Sequence, residues 1–194
     1  MTKLTALPLL DTPAQLARPE TAYAKCNPED AALTVMTDLQ RQRAITISPD
    51  ETIEFAEKLM IGAGVRLLLV IDGGSLLAGV ITYRDLHGAG ALAAAARERV
   101  AHNALTVAQV MTPAAQIETT SLVALRHTQV RDVVELLRQH GRQHTLVTEA
   151  GENGRVTVRG IFSLTQIGHQ LGVAIDSAGR AQSFAEIEHL IAAE

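Results

Sequence analysis

The chain has 194 residues, of which 47% are hydrophobic and 20% are charged, a composition that excludes a disordered tail and a membrane-embedded protein. Its 17 Lys and Arg residues against 21 Asp and Glu residues give a net charge of -4, which argues against a nucleic-acid partner because no excess of cations is available for phosphates. A single cysteine, Cys26, excludes an intramolecular disulfide and a cysteine-rich zinc site, and we expect a cytoplasmic protein.

Residues 1–34 are predicted to form an extended N-terminal arm. They hold four of the chain's 6 prolines and no sustained periodicity, which allows at most a short helix near residues 28–33. The short apolar stretch at the start is interrupted by Pro8 and Asp11, so we expect neither a signal peptide nor a membrane span.

The first of two repeating units is predicted for residues 35–103 and opens with Val35-Met36-Thr37. Helical spacing of apolar residues, continuous apolar runs and an Asp-Gly turn predict a β-like run, a helix, a hairpin, a helix after Thr82 and an Ala-rich connector helix. In this order, with the two hairpin strands given separately, the elements are expected at residues 44–47, 52–61, 67–71, 76–81, 83 onward and 92–101.

The second unit is predicted for residues 104–172 and repeats the same order after Val110-Met111-Thr112. Its β-like run, helix, two hairpin strands and last helix are expected at residues 122–125, 129–140, 145–148, 156–162 and 163 onward. Residues 173–194 follow, and a capping-box pattern at 183–186 predicts a C-terminal helix with an apolar face. The chain is therefore expected to be an α+β protein of two β-α-β-β-α repeats.

These two units, each led by Val-Met-Thr and each ending in Gly-apolar-apolar-Thr/Ser before a helix, resemble a tandem pair of CBS domains, the Bateman module. The resemblance covers about residues 35–172 and is closest in the first unit, at residues 48–52, 69–72 and 79–86. It implies two CBS repeats in a pseudo-twofold arrangement, with two clefts between them. It also implies a regulatory role without catalysis and pairing of modules into homodimers.

The segment Gly79 to Asp85 matches the Gly-x-x-Thr/Ser-x-x-Asp string that holds the ribose and phosphate of an adenosine nucleotide in that family. A strand that turns into a helix at Thr82 is expected to leave free backbone N–H groups for phosphate, and Arg84 adds charged donors. Asp85 offers two acceptor oxygens to a ribose diol. An alternative stays open, because Thr82 and Asp85 also fit a helix-capping box that needs no ligand.

The resemblance implies further adenine and phosphate contacts from the segment leading into the first strand, residues 44–46, and from the start of the second, residues 65–67. Of these, Ile45, Thr46, Val65 and Arg66 are the candidate site residues. Arg66 either approaches a phosphate or is an exposed arginine at a strand start, and the sequence leaves both open.

The second repeat differs at the matching string. Ser163 keeps the capping hydroxyl, but Gln166 replaces the carboxylate, so we expect one ligand site per chain, in the first-repeat cleft. The polar residues 142–144 at a strand start of this repeat are candidates to face the cleft.

The functional prediction is a stand-alone regulatory module that binds an adenosine nucleotide or derivative between its repeats and signals to a protein effector by a conformational or oligomeric change. Candidate ligands are AMP, ADP, ATP and S-adenosylmethionine, none of them an obligatory cofactor. We expect no metal site, no membrane and no nucleic acid as partner. A ligand-free dimerisation scaffold is the alternative, and an enzyme would need Cys26 or a histidine to be organised by folding.

Overall fold

The computed structural model describes residues 24–74, 76–151, 154–173 and 175. Within them, eight strands form two 4-stranded sheets, and six α-helices and several 3-10 turns connect and cover the strands. The strands are β1 (Thr37–Asp38), β2 (Thr46–Ile47), β3 (Leu67–Ile71), β4 (Leu77–Thr82), β5 (Thr112–Pro113), β6 (Thr119–Ser121), β7 (His144–Ala150) and β8 (Val156–Ser163). The helices are α1 (Ile53–Ala63), α2 (Tyr83–His87), α3 (Ala89–Glu98), α4 (Val107–Val110), α5 (Val130–Gln139) and α6 (Leu164–Leu171). The predicted α+β class is confirmed.

The first sheet has the strand order β2-β3-β4-β5, and the second has the order β1-β8-β7-β6. In each sheet a hairpin forms the centre, β3 with β4 and β7 with β8, and a short parallel strand lies beside it. The hairpins form where the sequence has continuous apolar runs, as expected for strands that are covered on both faces.

The leading Val-Met-Thr segments are exchanged between the repeats. Strand β1, which precedes the first repeat, pairs with β8 of the second, and β5, which precedes the second repeat, pairs with β4 of the first. At these contacts Gly160 leaves room for the side chain of Met36, and Gly79 leaves room for Met111. The repeat limits at residues 35–103 and 104–172 stay a prediction, because each sheet also contains a strand from the other unit.

Helices α1 and α5 begin at residues whose side chains occupy the capping position. The Thr52 hydroxyl accepts the N–H of Phe55, and Gly64 ends α1 in the left-handed conformation with φ 65°. In α5, Gln129 and Asp132 form a capping box. Both helices lie within two residues of the limits predicted from apolar spacing.

Within the described ranges, the hydrophobic core has three parts. One cluster lies between the first sheet and helices α1 to α4, and a second lies between the second sheet and helices α5 and α6. The third joins the two sheets face to face, because Leu69 and Val80 of the first pack with Leu146 of the second. Burial of each such Leu or Val side chain contributes about 1.5–3 kcal/mol, so this third cluster fixes the repeats against each other.

One local prediction is wrong. The expected strand at 122–125 is a turn followed by a 3-10 helix at Ala124–His127, and the strand lies earlier, at Thr119–Ser121. The short helix allowed near residues 28–33 is a 3-10 helix of 4 residues at Ala32–Val35.

The described part of the N-terminal arm packs on the second repeat. The N–H of Cys26 donates to the carbonyl of Gln170 at 3.0 Å, and Ala32 is fully buried in the second cluster. Residues 1–23 and the predicted C-terminal helix lie outside the described residues. Among the described helices, none is both long and apolar enough to cross a bilayer.

A candidate ligand site between the two repeats

Thr82 and Asp85 form a complete capping box at the start of α2. Oδ2 of Asp85 accepts the Thr82 N–H at 2.8 Å and the Thr82 hydroxyl at 2.7 Å. The Asp85 N–H in turn donates to the Thr82 hydroxyl oxygen at 3.3 Å. These three bonds use one carboxylate oxygen of Asp85 and none of them uses the other, Oδ1.

The backbone at this turn differs from the expectation of free N–H groups for a phosphate. The N–H groups of Thr82 and Asp85 are used in the capping box, and the N–H of Tyr83 donates to the carbonyl of Arg66 at 3.0 Å. The expectation is therefore wrong for these three N–H groups, because the capping box and the strand start of β3 occupy them. The Arg84 side chain is left as the charged donor at this end of the helix.

A cavity of about 260 Å³, here called the inter-repeat cavity, opens beside this turn. Thr82, Arg84 and Asp85 contribute to its wall from the first repeat, together with Leu67 and Val80 of the first sheet. The rest of the wall is Thr112, residues 116–120, 136, 137 and 140–146. Asp85 thus lines the same cavity as residues of the second repeat.

The charged residues that line the inter-repeat cavity are two cations and two anions, Arg84, Arg142, Asp85 and Glu118. Arg142 and Glu118 are partners, with Nη2 of the arginine 3.8 Å from Oε2 of the glutamate. Arg84 forms no ion pair with another described residue. Most of the remaining polar lining consists of threonines and histidines, so the wall offers many neutral hydrogen-bonding groups.

His144 is the half-buried first residue of β7 and belongs to the wall of the inter-repeat cavity. It pairs in register with Ser163, as Leu67 of the first repeat pairs with Thr82. Burial, together with the positive charge of Arg66, lowers the pKa of His144 from 6.5 to about 4. Nδ1 is buried and has no hydrogen-bond partner among the described residues. The imidazole is therefore neutral at pH 7.

The structure places three of the eight predicted site residues, Thr82, Arg84 and Asp85, at the inter-repeat cavity. The other five lie outside its lining. Ile45 and Val65 are half-buried against the first core cluster, Thr46 pairs with Leu69, and Arg66 is exposed with its carbonyl bonded to Tyr83. Ser163 caps α6 by accepting the N–H of Gln166 at 3.5 Å.

Sequence analysis did not identify the contribution of residues 116–120 to the cavity wall. Their role follows from the path of the chain after β5, where it leaves the first sheet and enters the second. The polar strand start at 142–144 does line the cavity, in agreement with the sequence analysis.

The matching turn of the second repeat is engaged within the chain. Oε1 of Gln166, which stands where the first repeat has Asp85, accepts the hydroxyl of Thr37 from the exchanged strand β1 at 3.1 Å. The side-chain oxygen that stands where the first repeat has the Asp85 carboxylate therefore already has a donor. The two turns are alike in backbone and different in the groups they leave for a ligand.

Comparison with known proteins was made by family model and by structure. The family model described as CBS domain matches residues 34–91. A search of the curated proteins gives no match to this chain. The matched residues include the turn from Gly79 to Asp85 and most of the first sheet.

Among solved structures, an uncharacterized conserved protein from Pyrococcus horikoshii has a TM-score of 0.54 and 18% identity, over 78% of this chain and 98% of that one. The CBS domain pair of protein MJ0100, solved with 5′-methylthioadenosine and S-adenosyl-L-methionine, has a TM-score of 0.50 and 21% identity, over 75% and 98%. CBSX2 in complex with AMP has a TM-score of 0.48 and 22% identity, over 71% and 92%. At such identities the first two likenesses establish the fold.

Proposed function

We propose that this chain is a regulatory, non-catalytic module with an adenosine-type ligand. The premises are that residues 34–91 match the CBS-domain family model and that the chain has the fold of a tandem CBS-domain pair. The ligand occupies the inter-repeat cavity, beside Thr82 and Asp85. The adenosine derivatives in the CBS pair of MJ0100 support the ligand class.

One observation carries the proposal. Asp85 both caps α2 and lines a cavity whose opposite wall belongs to the second repeat. Its Oδ2 is fully used by Thr82, while Oδ1 takes no part in the capping bonds. A carboxylate oxygen held rigid by a cap and open on its other side suits a pair of ribose hydroxyls. The capping role and the ligand role are thus compatible in one residue.

A ligand in this position contacts both repeats, so it stabilises the arrangement in which their walls are closest. Binding shifts a conformational equilibrium only as far as the affinities for the two states differ. The proposal includes a homodimer and a protein effector as the receivers of that shift. A cytoplasmic location is proposed with it, on the strength of the single cysteine.

A ligand-free scaffold is the second candidate, and one observation favours it. The capping box at Thr82 and Asp85 is complete without any ligand, so it gives a structural reason for both residues. A test must therefore separate the loss of a cap from the loss of a ligand contact.

The chain offers a matched control for that purpose. Asp132 is the corresponding carboxylate in the capping box of α5, where its Oδ2 accepts the N–H of Gln129 at 2.9 Å, and it lies outside the cavity lining. Replacing either Asp85 or Asp132 by Ala removes one capping carboxylate, which costs about 1 kcal/mol. Both variants should melt at temperatures lower than wild type by similar amounts.

The experiment measures melting temperature with adenosine, AMP, 5′-methylthioadenosine and S-adenosylmethionine at millimolar concentration. A ligand that binds the native state raises the melting temperature by mass action, about 2.7 kcal/mol at a hundredfold excess over Kd. We expect a rise for wild type and Asp132→Ala and none for Asp85→Ala. No rise in wild type with any of these compounds would contradict the proposal and favour the scaffold.

A further inference from the structure

The phosphate-binding capacity of the turn at Thr82 is limited by its own hydrogen bonds. Three backbone N–H groups, of Thr82, Tyr83 and Asp85, already donate within the chain. A chain of phosphates is usually held by several free N–H groups together with fixed cations. Here the cations must supply most of the attraction.

Those cations are few. The arginines and carboxylates that line the inter-repeat cavity are equal in number, and Arg142 is 3.8 Å from Glu118. Arg84 is exposed and has no acidic partner among the described residues. Arg66 is exposed outside the lining, close enough to affect His144 electrostatically.

His144, in the wall of the cavity, adds little to this charge. Burial and Arg66 lower the pKa of His144 to about 4, so its imidazole is neutral at pH 7. With Arg66 included, the fixed arginine and carboxylate charges in and beside the cavity sum to a single positive charge.

From this arrangement we infer that the inter-repeat cavity takes a nucleoside with no more than one phosphate and discriminates against nucleoside di- and triphosphates. The inference rests on the proposed function and narrows its ligand class. Asp85 holds the ribose and Arg84 holds the single phosphate. Of the candidate ligands AMP, ADP and ATP, it selects AMP.

The physical reason is uncompensated charge. A monophosphate brings between one and two negative charges, which Arg84 and Arg66 can balance. Each further phosphate adds negative charge next to Asp85 and Glu118, and the described lining of the cavity offers no additional unpaired arginine to balance it. Juxtaposed like charges of this kind weaken binding and act against the wrong ligand.

The test is calorimetric titration of the full chain with adenosine, AMP, ADP and ATP, without divalent cations and at 0.15 M salt. We expect AMP to bind at least about tenfold more tightly than ATP, with ADP between them. In Arg84→Gln the preference for AMP over adenosine should disappear. Arg126→Gln removes the same charge from an exposed position outside the cavity lining, and it should keep the wild-type order.

The outcomes separate this inference from the function on which it rests. Absence of binding by all four compounds would contradict the proposed function itself. ATP binding as tightly as AMP, and lost in Asp85→Ala, would overturn the charge limit and leave the proposed function standing. Retention of the AMP preference in Arg84→Gln would overturn the role given to Arg84.

Discussion

Replacement of Gly79 by Ala tests the contact between the first sheet and the exchanged strand β5. A Cβ atom at this position would lie 2.5 Å from the carbonyl oxygen of Thr112 and 2.9 Å from Sδ of Met111. The oxygen belongs to backbone that pairs with β4, so it cannot move away as a side chain can. The strand itself must shift to admit one methyl group.

The change in the free energy of unfolding is the difference between the cost of overpacking and the gain from a less flexible unfolded chain. Insertion of a methyl group into a filled contact costs about 1–3 kcal/mol. Ala in place of Gly regains about 0.4–1 kcal/mol by restricting the unfolded chain. We therefore expect Gly79→Ala to lower the free energy of unfolding by about 1.3 kcal/mol, which corresponds to about 3–5 °C in melting temperature for a chain of this size.

Urea unfolding of three glycine variants provides the assay. At Gly160 the obstructing atoms belong to the side chain of Met36, which can change rotamer, so Gly160→Ala should lose less stability than Gly79→Ala. At Gly62, an exposed position within α1, a Cβ meets nothing within 4 Å, and Gly62→Ala should gain about 0.5–1 kcal/mol.

We expect the urea midpoint of unfolding to be lowest for Gly79→Ala and highest for Gly62→Ala. If Gly79→Ala were as stable as wild type, the close packing of β4 against β5 would be refuted. A loss in Gly160→Ala equal to that in Gly79→Ala would refute the distinction between backbone and side-chain obstruction.

Two further predictions concern the dependence of stability on pH and the hydrogen bonds that Arg159 donates to Asp38 and Gln40, here called the clasp around β1. The pKa of His144 is lowered to about 4 in the folded chain, so the unfolded chain binds a proton first as pH falls below 6.5. The free energy of unfolding should therefore drop by about 3 kcal/mol between pH 6.5 and 4. Urea unfolding at pH 7 and 5 should show a smaller drop in His144→Leu; equal drops would contradict the pKa. Arg159, largely buried, donates to Asp38 at 2.7 Å and to Gln40 at 2.9 Å. Arg159→Met should destabilise the chain by about 1–3 kcal/mol and speed amide hydrogen exchange at Leu39; unchanged exchange would contradict the clasp.

Much of the fold follows from apolar runs whose length and flanks are decisive. The strand over Leu67–Ile71 is a five-residue apolar run closed by an Asp-Gly turn, and the structure has it with the same limits. The run at 122–125 is ambiguous because Leu122 and Leu125 are spaced for one face of a 3-10 turn, with Val123 67% exposed between them. Short apolar runs cannot separate these two structures.

The exchange of β1 and β5 has no local signal, since a strand of two residues carries too little pattern to specify its partner. Its only effect on the sequence that we identify is the glycine at positions 79 and 160, where the exchanged strands pack too closely for a Cβ atom. For the candidate site, the string around Thr82 and Asp85 predicts the turn. The packing of one sheet on the other decides which strand ends lie opposite this turn. That packing is a property of the whole fold.

The exchanged segments also determine whether either half of the chain can fold by itself. Either half alone would present an unpaired edge, β4 without β5 or β8 without β1, and such an edge is prone to accept a strand from another molecule. Two copies of one half could satisfy each other by lending their Val-Met-Thr strands. The two repeats of this chain are thus related as the subunits of a strand-swapped dimer would be, but they are joined by a covalent connector. We expect the two halves to fold and unfold as one cooperative unit.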